Sequence, residues 1–187
     1  MRIMLHTEQF NQIMNMAKNI IRANENREAL RGVHLVCDET GHCRAEVCNG
    51  FTGGTYTFNS ATHAEGYEAG ECIIPLQPVR KCNARENPLV TIATNGKTVQ
   101  IIDYKGITSL YPIDAQYLDM QRVYPTTEPV QTVYLNPAYL AEVLKACKIS
   151  GGSMVKMEIR GGLAPVRITN GVHNMLVLPV RHPGNDW

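Results

Sequence analysis

The chain has 187 residues, of which 44% are hydrophobic and 19% charged, and its formal net charge is +1. This composition excludes a disordered or fibrous chain and allows a sizeable core, while the near-zero net charge does not indicate any class of partner. Neither a signal peptide nor an apolar run of membrane-spanning length is recognisable, so we expect a cytoplasmic protein without a membrane partner.

The first sixty residues predict one strand, one helix and three further strands. A short strand near 2–5 precedes a helix whose expected N-cap is Thr7. Apolar residues then recur at helical spacing on one face, at Phe10, Ile13, Met14, Ala17, Ile20 and Ile21. Three extended segments separated by glycine-containing turns follow near 31–37, 42–48 and 53–58.

The same order of elements recurs twice further along the chain. The second set is a strand at 71–74, a short helix at about 77–85, and strands at 89–94, 98–103 and 107–111. After a proline-containing linker, the third set is a strand at 132–135, the N-cap Asn136, a helix to residue 149, and strands at 154–159, 165–169 and 174–180. Three β-α-β-β-β units therefore predict a repeated α+β fold. The alternative is an ordinary α+β domain in which strands and helices alternate without repetition.

Six cysteines, none in a C-x-x-C pair, are spread along the chain. Thiolate and imidazole are zinc ligands, so Cys37, His42, Cys43 and Cys48 allow a zinc site. Their spacing matches no standard zinc motif, and a hairpin turn is expected between Cys37 and Cys43. Free thiols are therefore favoured, and we expect neither a metal nor a cofactor.

Motifs of catalytic chemistry are not recognisable in the sequence. We find no nucleophile elbow, Walker-type loop, HExxH pair or dinucleotide fingerprint. Asp114, Asp119 and Glu128 fall in the predicted connection at 112–129 without the spacing that two-metal chemistry requires. The sequence therefore predicts a protein that is not an enzyme.

Positive charge is concentrated on the predicted helices. Segments 7–22, 77–86 and 137–149 carry one, two and one net positive charges, +4 in all, which leaves −3 for the rest of the chain. Helix faces of this kind suit sequence-independent contact with phosphates, because each cation displaces a condensed counterion. A solvated helix face with ordinary lysines explains the same pattern, and charge alone does not decide between the two.

Several short segments carry a family resemblance through their order along the chain. They are residues 1–10, 26–30, 32–36, 72–75 followed by Arg80 and Lys81, 109–113, 139–144, 165–168 and 175–181. In this order they resemble the bacterial sliding clamp, the beta subunit of DNA polymerase III. The resemblance implies a DNA-clamp fold, in which each β-α-β-β-β unit is a half-domain, the sheets are antiparallel, and helices on one face of the sheets line a hole around DNA.

The resemblance also implies site residues. Arg27 is similar to an arginine after the first helix that reaches DNA, and Arg80 with Lys81 is similar to a basic pair on the second helix. Further cations are included only because they share the predicted outward face of a helix. The predicted DNA-binding set is therefore Arg22, Arg27, Arg80, Lys81, Arg85, Lys145 and Lys148. The resemblance implies that one wall of a groove for partner peptides is formed by Leu176, Leu178, Pro179, Val180 and Arg181. A plain terminal strand explains the apolar residues of that wall equally well.

The resemblance divides the chain into one and a half domains. We expect a complete clamp-like domain at 1–122, with half-domains at about 1–60 and 70–112, then a linker at 123–130, a single half-domain at 131–182 and a tail at 183–187. A lone half-domain leaves its helix stripe and sheet edges exposed, so we predict a homo-oligomer. A dimer meets the minimum need, and a four-chain ring would supply the twelve half-domains of the family's closed ring.

The resemblance implies a DNA replication processivity factor. Such a protein would associate with duplex DNA without sequence specificity and tether DNA polymerase or other proteins that carry clamp-binding peptides. The alternative is a truncated clamp relative that acts as a protein-binding module or modulator of replication without encircling DNA.

Overall fold

The computed structural model describes residues 1–22, 25–61, 66–76, 82–86, 88–149 and 154–181. The chain divides into two compact units, Met1–Tyr124 and Pro125–Trp187. Arg80, Lys81, most of the predicted helix at 77–85 and the predicted tail lie outside the described residues, and residues 84–86 form a turn. No helix within the described ranges combines the length and the apolar character needed to cross a bilayer.

The first unit is built from eight strands and one α-helix within its described residues. They are β1 (Arg2–His6), α1 (Thr7–Ile20), β2 (Gly32–Cys37), β3 (His42–Cys48), β4 (Gly53–Asn59), β5 (Gly70–Pro75), β6 (Leu89–Thr94), β7 (Val99–Asp103) and β8 (Gly106–Leu110). Two short 3-10 helices, Glu28–Arg31 and Met120–Arg122, lie in the connections. All strand pairs are antiparallel, so the predicted α+β class is confirmed.

The start of α1 differs by one residue from the expected N-cap. His6 has the extended backbone conformation of an N-cap, and its N–H donates to Gln9 Oε1 at 3.0 Å. Thr7 is instead the first helical residue; it is buried, and its N–H donates to Pro88 O at 2.9 Å. The long-range bond to residue 88 therefore anchors the first helical turn, a constraint that the local sequence does not reveal.

In the first unit, the first strand of each of the two repeats joins the sheet of the other repeat. β1 pairs with β6, which gives the strand order β1-β6-β7-β8, and β5 pairs with β2, which gives the order β4-β3-β2-β5. Patterning along the sequence groups β1 and β5 with their own repeats and gives no sign of this exchange. Because each sheet contains strands from both repeats, the two repeats share one core and cannot separate without breaking both sheets.

The core of the first unit lies where α1 packs against both sheets. The helix contacts β1 and β6 in one sheet and β3 and β4 in the other. Its predicted stripe is buried at Phe10, Ile13, Met14 and Ala17. The same cluster includes the inward-facing strand residues Ile3, Leu5, Val33, Leu35, Val90 and Ile92. Each fully buried side chain of this size contributes roughly 1.5–3 kcal/mol of transfer free energy, so Ile3, Leu5 and Ile74 of the exchanged strands stabilise the shared core by several kcal/mol.

Part of the predicted connection at 112–129 packs onto the first unit. Met120 is buried against Leu30 and Cys48 in a small apolar cluster, with Tyr117 beside it. The Tyr117 ring also stacks on His34, with 4.6 Å between the ring centroids. Residues 117–120 therefore pack against the first unit, although their sequence has neither the helical nor the strand periodicity of a regular element and is typical of a linker.

The second unit contains α2 (Pro137–Ile149) and the antiparallel strands β9 (Lys156–Glu158), β10 (Val166–Thr169) and β11 (Asn174–Val177). Asn136 caps α2 as predicted, since its Oδ1 accepts from Ala138 N at 2.9 Å. The predicted strand at 132–135 is reduced to an isolated bridge between Leu135 and Pro179. A small core is formed by Val143, Cys147, Val166, Ile168 and Val177.

A recurring backbone hydrogen bond aligns the three repeats. Ala61 N donates to Met4 O at 2.7 Å, Ile113 N to Ile73 O at 3.0 Å, and Val180 N to Tyr134 O at 2.9 Å. In each case the chain has left the last strand of a repeat and bonds to the segment that opens the same repeat. Buried residues stand three positions before the donors, at Phe58, Leu110 and Val177. The second unit is therefore a third copy of the repeat that occurs twice in the first unit.

Candidate functional site

The solvent-facing side of α1 is polar and almost free of acid. Its exposed positions include Gln12, Asn15, Lys18 and Asn19, and Glu8 is the single acidic residue of the helix. Arg22 follows the helix, and its guanidinium carbon lies 4.9 Å from the centre of the exposed Phe51 ring. This cation–π contact holds an exposed positive charge beside the helix end, where it can meet a phosphate.

Arg27 is held by neighbours on its own unit. Its Nε and Nη2 donate to the two carboxylate oxygens of Glu25 at 2.7 and 3.0 Å, and Nη2 also donates to Asn49 O at 2.6 Å. The hydrogen bonds from Arg27 lower the pKa of Glu25 to about 2. A Cβ at Gly50 would stand 2.3 Å from Arg27 Nη1, and the φ of +81° at this position also favours glycine. Arg27 is therefore a half-exposed, fixed guanidinium whose charge is largely balanced by Glu25.

The predicted cations of the other helical segments are exposed where the structure describes them. Arg85 lies on the turn at 84–86 beside the exposed Glu86. Lys145 and Lys148 stand one turn apart on the exposed side of α2, opposite the buried Val143 and Cys147. The α2 pair thus places two positive charges next to each other on a solvent-facing helix surface.

The predicted peptide-binding wall presents apolar side chains to solvent. Leu176 and Leu178 are 60% and 61% exposed, whereas Val177 between them is 2% exposed and belongs to the core. Pro179 bridges Leu135, and the exposed Val180 and Arg181 follow. Leu176 and Leu178 are not part of the core of the second unit, so packing does not account for their apolar character. We refer to these two residues and Val180 as the apolar strip.

A basic cluster lies on the same face of that sheet. Glu158 is bonded by Lys156 at 2.7 Å, by Arg167 at 3.3 Å and by Arg160. The hydrogen bonds from Lys156 and Arg160 lower the pKa of Glu158 to about 2. Arg167 is directly opposite Leu176 in the β10–β11 register, so the cluster adjoins the apolar strip. Sequence reasoning missed this cluster, although the alternate positions of Lys156, Glu158 and Arg160 in the sequence are a visible signal.

A cavity of about 1020 Å³ opens on the first unit and was not predicted. It is lined by side chains from the outer face of β2 and β3, where His34 Nδ1 lies 2.9 Å from Glu46 Oε2 and Arg44 Nε donates to Glu46 Oε1 at 3.2 Å. Its acidic lining residues are Glu46, Glu68, Glu71, Asp114 and Asp119. This acid excess does not suit phosphate, in contrast to the exposed face of α1.

The cysteines that allowed a zinc interpretation do not converge. Cys37 and Cys43 are buried cross-strand neighbours, whereas His42 lies on the opposite, exposed face and contacts Asn59. All six cysteines are free thiols, and the described residues contain no group of His, Cys, Asp and Glu arranged to hold a metal ion. Cys37 and Cys43 are instead part of the apolar core of the first unit.

Solved structures that resemble this chain are beta subunits of bacterial DNA polymerase III. The beta chain from Streptococcus pneumoniae matches with a TM-score of 0.78 and 17% identity, over 96% of this chain and 49% of that one. The beta subunit from Streptococcus pyogenes matches with a TM-score of 0.80 and 15% identity, over 97% and 50%. The fold is that of the bacterial sliding clamps. The predicted clamp fold and the resemblance on which it rests are thereby confirmed.

A third sliding clamp adds a bound partner. The Helicobacter pylori beta clamp, solved with a DNA ligase peptide, matches with a TM-score of 0.74 and 14% identity, over 96% of this chain and 49% of that one. The present chain therefore spans about half the length of these sliding clamps. No protein-family model and no curated protein sequence matches it.

Proposed function

We propose that this protein is a non-catalytic, sliding-clamp-like replication factor that associates with duplex DNA without sequence specificity and tethers replication proteins to it. The observation that carries this proposal is the clamp fold, which extends over 96% of the chain in the S. pneumoniae comparison. The solvent-facing helix surfaces supply the cations that such a role requires.

The DNA-facing surface in this proposal consists of the exposed helix faces. Lys145 and Lys148 on α2 and Arg22 after α1 are free to approach phosphates, and Arg80, Lys81 and Arg85 extend the set. Contacts with the phosphates of the DNA backbone carry no sequence information, which is the behaviour expected of a protein that moves along DNA. Arg27 contributes less than its position in the sequence suggests, because Glu25 already balances its charge.

The protein-binding surface in this proposal is the apolar strip with its basic neighbours. Exposed leucines on a sheet face are typical of interaction sites, and the adjoining cations Lys156, Arg160 and Arg167 favour a partner peptide with apolar and acidic residues. The Helicobacter clamp solved with a DNA ligase peptide shows that this fold can hold a peptide. Pro179, Val180 and Arg181 complete the proposed wall.

The second candidate function is a protein-binding module that does not encircle DNA. The specific observation in its favour is that Arg27, a cation assigned to DNA by the family resemblance, is engaged by Glu25 and Asn49 within the chain. The apolar strip would then act alone and sequester peptides or modulate replication proteins.

Retention on circular DNA tests the leading function. The protein is incubated with a nicked circular plasmid and passed through a sizing column before and after the plasmid is linearised. We expect co-elution with the circle and release on linearisation. A double variant, Lys145→Gln with Lys148→Gln, should weaken retention, whereas the matched charge change Lys97→Gln with Lys105→Gln, in two exposed turns, should not. Equal retention of both double variants would exclude the α2 surface.

A peptide titration separates the two functions. A labelled clamp-binding peptide is titrated with the protein in the absence of DNA, and the Leu176→Asp variant is compared with Val172→Asp, a change at another exposed apolar position. Peptide binding that Leu176→Asp removes, together with no retention on circular DNA, favours the binding module. Retention on DNA favours the clamp-like tether.

The proposed tether acts as a homo-oligomer. The single repeat of the second unit supports this assembly, because two repeats share one core in the first unit. The assembly that we propose is a dimer or a four-chain ring.

A further inference from the structure

The third repeat exposes apolar residues at positions that are buried in the other two repeats. The alignment by the recurring hydrogen bond, continued through the strand registers, makes Met157 equivalent to Leu35 and Ile92. Two residues earlier, Val155 is equivalent to Val33 and Val90. The exposed fractions are 43% for Met157 against 2% and 3%, and 37% for Val155 against 2% and 0%.

The helix of the third repeat shows the same difference. Both helices begin two residues after equivalent strand positions, Leu5 and Leu135, so Leu144 is equivalent to Met14. Met14 is 2% exposed, whereas Leu144 is 37% exposed. The third repeat therefore has apolar residues on its helix and at β9 where the first two repeats have core residues. In the first two repeats each repeat buries these positions of the other, whereas in the third repeat they are exposed.

The cover in the first unit comes from the exchanged strands. Leu5 of the first repeat lies directly opposite Val90 of the second, and Ile74 of the second lies opposite Val33 of the first. This interface is reciprocal, since each repeat both donates its opening strand and receives the opening strand of the other. Two equivalent surfaces related in this way fit a two-fold axis.

The third repeat carries both halves of this reciprocal interface. Its opening segment ends in Leu135, the equivalent of Leu5 and Ile74, and β9 is the outer strand of its sheet among the described residues. A sheet edge of this kind presents unpaired N–H and C=O groups. Because donor and receiver lie on one repeat, a second copy of the same repeat satisfies both at once.

We propose that the second unit pairs with the second unit of another copy of this chain by reciprocal strand exchange. The opening segment of one chain pairs antiparallel with β9 of the other, with Leu135 opposite Val155, Tyr134 opposite Lys156 and Val133 opposite Met157. The register is the one that β1–β6 and β5–β2 share in the first unit. The exchange buries Val155, Met157 and Leu144. These residues belong to the surface through which the proposed homo-oligomer assembles.

Light scattering on a sizing column tests the pairing with the 187-residue chain. We expect a dimer or a multiple of it at micromolar concentration, relative to the 20.8 kDa of one chain. Met157→Glu should halve the mass, because it places a charge in the new core. Leu178→Glu, the same change on the opposite, exposed face, should leave the mass unchanged. A monomeric wild type, or an equal response of the two variants, would overturn the proposal.

Cysteine crosslinking tests the register and remains informative if Met157→Glu fails to fold. Tyr134→Cys with Lys156→Cys places two thiols at directly paired positions, within the Cα separation that a disulfide spans. Under mild oxidation the double variant should form a covalent dimer on a non-reducing gel, whereas either single variant should not. Absence of the dimer band, or equal bands in the single variants, would contradict the register. DNA binding is not needed for either readout, so a failure here is distinct from a failure of the proposed function.

Discussion

At the scale of single residues, the pair formed by Glu25 and Arg27 limits how much unbalanced positive charge the first unit presents. The carboxylate of Glu25 receives both Nε and Nη2 of Arg27, while the guanidinium remains half-exposed. A phosphate that approaches Arg27 must therefore compete with a buried carboxylate. Charge balance within the chain weakens phosphate contact even where a guanidinium is accessible.

Removing the charge of Glu25 should strengthen DNA binding. We expect Glu25→Gln to raise the affinity for duplex DNA and to steepen the dependence of log K on log salt by about one unit, since one more cation becomes available to phosphate. Fluorescence anisotropy at several salt concentrations measures both quantities. Glu28→Gln removes the same charge from an exposed position of the following 3-10 helix and is the control. Identical curves for the two variants would show that Arg27 does not reach DNA.

The same pair makes stability depend on pH. Hydrogen bonds from Arg27 lower the pKa of Glu25 from 4.5 to about 2. The charged carboxylate therefore stabilises the folded chain above about pH 4.5, and this contribution is lost as the pH falls towards 2. We expect the difference in melting temperature between the wild type and Glu25→Gln to shrink between pH 6 and pH 2. A difference that stays constant over this range would show that the pair does not stabilise the fold.

At the scale of elements, the exchanged strands hold the two repeats of the first unit together. β1 contributes Ile3 and Leu5 to a core that otherwise consists of residues from α1 and the remaining strands, together with Cys82. Loss of a β1 side chain therefore leaves a cavity between two repeats, not within one. Global unfolding is the expected response, because the two sheets share that core.

Truncating Leu5 should destabilise the first unit as a whole. Leu5 is fully buried, and we expect Leu5→Ala to lower the free energy of unfolding by about 2–5 kcal/mol. Urea unfolding measures this loss. Ile107→Ala, at an exposed strand position, should change it by no more than about 0.5 kcal/mol. Comparable losses for both variants would contradict the central place of β1 in the core.

Elements whose signals are local could be predicted from the sequence. The helical spacing of Phe10, Ile13, Met14 and Ala17 predicts α1, and Asn136 followed by Pro137 predicts the start of α2. The exchange of β1 and β5 could not be predicted, because strand patterns report which face is buried and not which strand lies alongside. The predicted strand at 132–135 is only a bridge for a related reason: a strand needs a partner along its whole length, and here the described backbone pairing is limited to the Leu135–Pro179 bridge and the bond from Val180 N to Tyr134 O.

The candidate sites, like the fold, could be predicted from the sequence only where their signals are local. The exposure of cations on a helix can be predicted from which face of the helix they share, as Lys145 and Lys148 show. The engagement of Arg27 by Glu25 and Asn49 depends on a loop conformation that has no sequence period. In the basic cluster, Lys156 and Arg160 lie two residues from Glu158 in the sequence, whereas Arg167 could be placed beside Glu158 only through the pairing of β9 with β10.

At the scale of the whole molecule, the two units differ in how complete their cores are. The first unit contains two repeats that cover each other, and the second contains one. We therefore expect two thermal transitions, of which only the one of the second unit rises with protein concentration, because dimer formation stabilises that unit by mass action. Calorimetry at two concentrations at least tenfold apart measures this. Transitions that do not move with concentration would contradict pairing through the second unit.

Anisotropy with two short labelled duplexes of unrelated sequence tests DNA association most directly. We predict equal affinity for both duplexes, and a loss of roughly three orders of magnitude between about 50 and 200 mM salt if six of the predicted cations contact phosphates. A preference for one sequence would contradict a clamp-like role. Absence of binding to either duplex at the lowest salt would contradict DNA association altogether.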